Sequence, residues 1–181
     1  MPETLPCSHK HQDQEPAQFL VDHIGLLPKG LVLDVAMGGG RNAVYLAEKG
    51  FEVEGVDISE ESVQSALQLA ARNGVNIRAR VADLEKDYRI SPDTYDVVIC
   101  FNYLYRPLIP QIKAGIKKSG MIVYETFIID QVRFGRPHNP DFLLQYNELL
   151  DLFRDFRCLR YREGVFDDSK AIASLIAQKV G

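Results

Sequence analysis

An acid in front of a glycine cluster is the part of this sequence best suited to chemistry. The stretch LDVAMGGGRN places Asp34 ahead of Gly38 and Gly40. Glycines omit side chains where a ligand must lie against the backbone. A second acid, Asp57, follows about 20 positions after Gly38, where a carboxylate can accept the two ribose hydroxyls of an adenosine. The spacing predicts a ligand that contains an adenosine.

Two classes of ligand fit this pattern. Gly38-x-Gly40-x-x-Ala43 satisfies the fingerprint of nicotinamide dinucleotide sites. An ionised Asp34 would repel a pyrophosphate, whereas it would attract a ligand that carries an ammonium and a sulfonium. We therefore expect S-adenosylmethionine as the cofactor, with a nicotinamide-dependent oxidoreductase as the alternative. A third hypothesis is a module that binds S-adenosylmethionine without catalysis.

The elements that position these residues alternate between strands and helices. The predicted strands are 31–36, 51–57, 75–82, 95–101, 121–127, 158–165 and 171–180. The predicted helices are 17–24, 42–49, 60–72, 107–117 and 147–153. This pattern indicates an α/β fold with a doubly wound, Rossmann-like, mostly parallel sheet. The last two strands have no helix between them, so we expect a C-terminal antiparallel hairpin at the sheet edge.

Length and composition predict one domain over residues 17–181, preceded by a flexible tail of residues 1–16. The net charge is −4, and no stretch approaches the roughly 20 apolar residues of a membrane span. We therefore expect a cytoplasmic enzyme with a small-molecule substrate, with nucleic acid an unlikely partner. Within the tail, Cys7-x-His9-x-His11 has metal-binding residue types but no fourth ligand nearby, so we predict no metal site.

The stretch Leu33-Asp34-x-Ala36-x-Gly38-x-Gly40 resembles motif I of class I S-adenosylmethionine-dependent methyltransferases, usually D/E-x-G-x-G-x-G. Further stretches are similar to the tellurite-resistance type of methyltransferase, and this resemblance extends from about Leu31 to the C-terminus. They are Gly40-Arg41-Asn42, Tyr45-Leu46-Ala47, Gly50-Phe51 and Gly55-Val56-Asp57-Ile58-Ser59. Ala36 departs from the motif because it replaces the first glycine, and its methyl group could narrow the methionine pocket or shift the loop.

The resemblance also implies a role for individual residues. It implies that Asp34 lies near the methionine ammonium and that Gly38 and Gly40 allow the cofactor to approach. It also implies that Asp57 binds the ribose. It implies that Ile58 packs on the adenine, that Asp83 and Leu84 contact the adenine amino group and ring, and that Phe101 flanks the cofactor near the methyl group.

The acceptor side is expected in the loops after the fourth and fifth strands. Candidate residues for binding an anionic acceptor are Arg106, Arg133, Arg136 and His138. The alternative is that these arginines pair with Asp130, Asp141 or the terminal hairpin and fix the loop. Asn102-Tyr103 partly matches the Asn-Pro-Pro-Tyr/Phe signature of amino methyltransferases, but both prolines are absent, which favours a packing role.

The sequence names no catalytic residue. A thiolate, a reduced chalcogen or an arsenic lone pair needs little or no general base, whereas a hydroxyl or ammonium acceptor needs one. The resemblance implies an acceptor of the metalloid or thiol type that is small and polar or anionic.

Overall fold

The computed structural model describes residues 15–181. Its strands are β1 (Leu31–Val35), β2 (Glu52–Asp57), β3 (Arg78–Val81), β4 (Tyr95–Phe101), β5 (Ile116–Phe127), β6 (Phe156–Phe166) and β7 (Lys170–Lys179). Its α-helices are α1 (Gln18–His23), α2 (Arg41–Glu48), α3 (Glu60–Arg72), α4 (Ile109–Gly115) and α5 (Glu148–Leu152). Short 3-10 helices lie at Ile24–Leu26, Arg106–Leu108, Ile129–Arg133 and Pro140–Phe142.

The seven strands form one sheet in the order β3-β2-β1-β4-β5-β7-β6. Strands β1 to β5 are parallel, and β7 runs antiparallel to both β5 and β6. The strand order reverses between β1 and β4, where the carboxyl ends of the strands open a crevice for a ligand. The predicted fold class, including the C-terminal hairpin at the sheet edge, is confirmed.

The central strands are buried on both faces because their side chains are apolar in both directions. On one face α1, α2 and α3 pack against residues such as Val32, Val97 and Val123. On the other face α4 and α5 pack against residues such as Val98 and Ile122. This double cover explains why the β4 sequence YDVVICF is a continuous apolar run.

The largest errors in the predicted bounds concern three elements. The predicted strand 75–82 is only four residues long in the structure, Arg78–Val81. The predicted helix 107–117 begins as a 3-10 turn and ends at Gly115, and the fifth strand begins at Ile116 instead of residue 121. Ile116 pairs with Tyr95, so this early start of β5 depends on a partner strand far away in the sequence.

The connection from β3 to β4, residues 82–94, contains turns but no helix. Over β2 and β3, the face opposite α3 is therefore covered only by this loop. No helix within residues 15–181 has the length and hydropathy needed to cross a membrane. The predicted tail and the Cys7, His9 and His11 pattern lie outside the described residues, apart from the last two positions of the tail.

Candidate cofactor and acceptor site

Three adjoining cavities lie at the carboxyl ends of the parallel strands. The glycine-loop cavity, of about 410 Å³, is lined by Asp34, Ala36, Met37, Gly38, Gly39, Arg41, Asn42, Phe101, Asn102 and Tyr103. The Asp57 cavity, of about 390 Å³, is lined by Ala36, Asp57, Ile58, Asp83, Leu84, Glu85, Lys86 and Tyr103. The aromatic cavity, of about 480 Å³, is lined by Glu85, Asn102, Tyr103, Leu104, Phe127, Arg136, Pro137 and Phe142. Tyr103 borders all three cavities.

Asp34 is a buried acid with one carboxyl oxygen that has no hydrogen-bond partner among the described residues. Its side chain is at the end of β1, the residue is 2% exposed, and its Oδ2 accepts no hydrogen bond from any described residue. Burial raises the pKa of this carboxyl to about 8, although the nearby Arg41 guanidinium opposes the shift. An unpartnered buried carboxylate is costly. The position therefore suits a ligand ammonium, and the residue fits the methionine end of S-adenosylmethionine.

Asp57 holds the glycine loop in place. Its Oδ2 accepts a hydrogen bond from the Gly38 backbone N–H at 2.7 Å, and its Oδ1 accepts one from Ser59 at 2.9 Å. A carboxylate has about four lone-pair sites, so both oxygens can still accept a ribose hydroxyl from the cavity. One side chain at the end of β2 thus shapes the loop and borders the Asp57 cavity.

The glycines of the loop have different functions. Gly38 has φ +57° and Gly39 has open space where a Cβ would project, so both leave room in the cavity that they line. Gly40 has φ +81°, and a Cβ there would lie 2.5 Å from the Ala66 Cβ in α3. Gly40 does not border the cavity. Its expected contact with the cofactor is therefore not supported, because packing of the loop against α3 already demands a glycine.

Ala36 adopts the conformation that motif glycines usually supply. Its φ is +54°, a left-handed value that costs a residue with a Cβ about 1–2 kcal/mol. Its methyl group borders both the glycine-loop cavity and the Asp57 cavity. The substitution therefore stores strain at the point where the two cavities meet.

The residues expected around the adenine line the Asp57 cavity. Ile58 is 66% exposed, which is unusual for so large an apolar side chain and leaves a flat surface available for a base. Leu84 is buried beside it. Asp83 accepts a hydrogen bond from the Glu85 N–H at 2.9 Å and pairs with Lys86 at 3.0 Å, and these two contacts lower the pKa of its carboxyl. Phe101 lines the glycine-loop cavity instead.

Of the four residues expected to bind the acceptor, only Arg136 borders one of the three cavities described above. Arg133 is exposed, with its guanidinium 5.8 Å from the Phe134 ring centroid, and His138 is exposed on the same loop. Within the described chain, neither Arg133 nor Arg136 forms an ion pair with Asp130 or Asp141. The alternative that these two arginines fix the loop through such pairs is therefore not observed.

Arg106 fixes the loop instead. Its Nε and Nη2 donate to the two carboxylate oxygens of Glu148 at 2.6 and 2.9 Å. The same guanidinium donates to the backbone oxygens of Asp141 and Leu143, each at 2.9 Å. Its donors are thus committed to protein groups, and the expectation that Arg106 binds the acceptor is not supported.

Asn102 and Tyr103 line the cavities, although the sequence favoured a packing role for these two side chains within the acceptor-side loop. Asn102 has φ +57° directly after β4, and it borders both the glycine-loop cavity and the aromatic cavity. The Tyr103 Oη donates to Glu85 Oε1 at 3.4 Å. Their place directly after the fourth strand was the available signal, because strand ends in this sheet meet at the crevice.

Comparisons with known proteins agree with this geometry. A family model described as a methyltransferase domain matches residues 32–119. A ubiquinone biosynthesis O-methyltransferase from Rickettsia felis is 30% identical over 115 residues, which are 59% of this chain and 45% of that protein. The chain spans about half or less of the length of the curated relatives it matches.

Two solved structures show the same fold. TehB from Haemophilus influenzae has a TM-score of 0.77 at 21% identity, covering 95% of this chain and 65% of that chain. Magnesium protoporphyrin IX methyltransferase from Synechocystis, with bound SAH, has a TM-score of 0.69 at 21% identity, covering 90% of this chain and 78% of that chain.

Residues 32–119 match a methyltransferase domain, and the fold is that of class I S-adenosylmethionine-dependent methyltransferases, which supports S-adenosylmethionine as the cofactor. Within that class the fold resembles that of TehB. The match favours this class over the nicotinamide-dependent oxidoreductase.

Proposed function

We propose that the protein, as one domain over residues 17–181, transfers a methyl group from S-adenosylmethionine to a small acceptor with an apolar body and an anionic group. The observation that carries this proposal is the aromatic cavity, which adjoins both cofactor cavities at Tyr103 and has Arg136 at its border. The acceptor would enter between the loops that follow β4 and β5.

The proposed cofactor contacts follow the cavities. Asp34 would pair with the methionine ammonium, Gly38 and Gly39 would leave room for the chain, and Asp57 would accept the ribose hydroxyls. Ile58 and Leu84 would hold the adenine from two sides. When bound, S-adenosylmethionine supplies a methyl group on a sulfonium, which is already an activated leaving group. The remaining work of the protein is to align the acceptor and exclude water.

The lining of the aromatic cavity supports an acceptor with an apolar body. Tyr103, Phe127 and Phe142 provide three aromatic rings, and Leu104 and Pro137 add apolar surface. Arg136 supplies a guanidinium with no ion-pair partner among residues 15–181, and such a group binds carboxylates and oxyanions through paired hydrogen bonds.

The ionisable groups of this cavity favour a nucleophile that needs little base. Among the described residues that line it, only Glu85, Tyr103 and Arg136 can titrate. Burial raises the pKa of the Tyr103 hydroxyl, so this phenol remains protonated at neutral pH. A thiol that ionises easily or a metalloid oxyanion therefore suits the cavity better than an amine. The O-methyltransferase relatives make a hydroxyl acceptor the second candidate, with Glu85 as the one carboxylate near it.

A paired-acceptor assay tests the proposal. We expect 2-mercaptobenzoate to be methylated with a kcat/KM about tenfold above that of the neutral thiophenol, because only the former offers Arg136 a carboxylate. Arg136→Ala should remove this preference while leaving the affinity for S-adenosylhomocysteine unchanged. Arg133→Ala, on the same loop but away from the cavity, is the matched control. Tellurite and 4-hydroxybenzoate extend the panel to the metalloid and hydroxyl classes.

Three results would contradict the proposal in different ways. Equal rates for charged and neutral acceptors, unaffected by Arg136→Ala, would reject the anionic group. Binding of S-adenosylhomocysteine without turnover of any acceptor would favour the non-catalytic module. Binding of NAD without binding of S-adenosylhomocysteine would return the assignment to the oxidoreductase.

A further inference from the structure

A second cavity, away from the cofactor cleft, lies on the face of β2 and β3 that no helix covers. It measures about 370 Å³ and lies between these strands and the loop that leads to β4. We call it the arginine groove and define it by Glu54, Arg78, Arg80, Tyr88, Arg89 and Tyr95. Helix α3 packs on the opposite face of these strands. No residue within 15–181 fills the groove.

The strand register brings two arginines together on this face. Arg78 and Arg80 are two residues apart on β3, so their side chains point the same way. They lie opposite Glu54 and Val56 of β2. Arg89, from the loop, adds a third guanidinium to the lining.

The groove contains one acid, which pairs with only one of the three arginines. Glu54 is the single acid among the lining residues, and it already pairs with Arg78 at 2.9 Å and accepts the Tyr95 hydroxyl at 2.8 Å. Arg89 donates one nitrogen, Nη1, to the carbonyls of Lys86 and Tyr88, both at 2.9 Å. Arg80 makes no hydrogen bond or ion pair with any described residue. Arg80 and Arg89 thus form no ion pair with any described residue, in a chain whose net charge is −4.

We propose that the arginine groove binds a phosphate group, carried by a small molecule other than the cofactor and the acceptor. Arg80 and the free nitrogens of Arg89 would grip the phosphate oxygens, and the Ser91 hydroxyl would donate to one of them. Guanidinium groups match the geometry of a phosphate, and binding an anion relieves the repulsion between adjacent cations. The site requires no change in the cofactor cleft.

Calorimetry with the full chain saturated with S-adenosylhomocysteine tests this assignment. The ligand then occupies the glycine-loop cavity and the Asp57 cavity and keeps phosphate out of them. The probes are inorganic phosphate, ribose 5-phosphate and a short single-stranded RNA. We expect inorganic phosphate and ribose 5-phosphate to bind, with the affinity of both reduced about tenfold by Arg80→Ala combined with Arg89→Ala. Arg72→Ala removes one positive charge outside the groove, as Arg80→Gln does inside it, and should leave the affinity unchanged.

A further variant separates binding from folding. Arg80→Gln leaves the backbone contacts of Arg89 intact, so it should weaken phosphate binding without lowering the melting temperature. The assignment is overturned if phosphate does not bind in the presence of S-adenosylhomocysteine, or if Arg72→Ala weakens binding as much as the groove variants do. Binding of RNA alone would also overturn it, since the groove would then serve a nucleic acid.

Discussion

Cofactor binding at neutral pH should release a proton from Asp34. Because burial raises the pKa of this carboxyl to about 8, the acid is mostly protonated at pH 7 when no ligand is bound. A bound ammonium would hold it ionised. With an ordinary α-amino pKa of about 7.7–8.0, the ligand takes up about 0.1 proton, while Asp34 loses about 0.9. The expected net release is about 0.8 proton per bound ligand.

Calorimetry in buffers of different ionisation enthalpy measures this number directly, as the slope of the observed heat against the buffer enthalpy. S-adenosylhomocysteine should give the full release in the wild-type protein and almost none in Asp34→Asn. The analogue 5′-methylthioadenosine lacks the amino-acid portion, so its binding should release no proton from Asp34. A slope near zero for wild type, or equal slopes for wild type and Asp34→Asn, would refute the role assigned to this acid.

The same acid predicts how stability depends on pH without ligand. Below pH 3.8, the ordinary pKa, Asp34 is protonated in both the folded and the unfolded chain. As the pH rises towards about 8, the unfolded chain loses this proton before the folded protein does, so stability falls across that range. The melting temperature of wild type should therefore fall relative to that of Asp34→Asn between these two pH values. A constant difference would show that the carboxyl does not retain its proton.

Three further predictions concern the glycine loop and its neighbours. Gly40→Ala should lower the free energy of unfolding by about 2–4 kcal/mol, because the new Cβ adds backbone strain and overpacking. Gly39→Ala should change the free energy of unfolding by less than about 1 kcal/mol but should weaken the binding of S-adenosylhomocysteine. Equal stabilities of the two variants in urea unfolding would contradict this prediction. Ala36→Gly should relieve the left-handed backbone strain, but it also increases the conformational entropy of the unfolded chain. The net effect should be a free energy of unfolding about 0.5 kcal/mol higher, with unchanged cofactor affinity. A clear drop in melting temperature would show that Ala36 is not strained. Arg106→Ala should cost about 1–2 kcal/mol and speed hydrogen exchange in residues 128–147, and unchanged exchange there would show that the pair with Glu148 does not hold the loop.

The local features of the cofactor site could be predicted from the sequence because they depend on near neighbours. The apolar run of β4 and the N-cap of α3 at Ser59 are encoded within a few residues, and the Ser59 Oγ accepts a hydrogen bond from Ser62 N–H at 3.1 Å. The glycine loop and Asp57 follow their strands directly. Their order along the chain, together with the rule that ligands bind at the carboxyl ends of parallel strands, was enough to place them together.

The acceptor side could not be predicted in the same way, because its arginines are interchangeable in sequence. Arg106 and Glu148 are 42 positions apart, and only the tertiary structure shows that this pair consumes the guanidinium. Arg133 and Arg136 lie on one loop, yet of these two only Arg136 borders the aromatic cavity. A loop without regular repeats has no period from which the direction of a side chain can be read.

The sequence by itself determined the fold class, the cofactor and the order of the site elements, since strand periodicity and the glycine motif are local signals. Only the tertiary structure decided what each residue contacts. In the tertiary structure Gly40 packs against Ala66, and Tyr103 lies where three cavities meet. Arg78 and Arg80 lie on a face of the sheet that no helix covers. These outcomes depend on contacts between distant segments, and such contacts are set by how the whole chain packs.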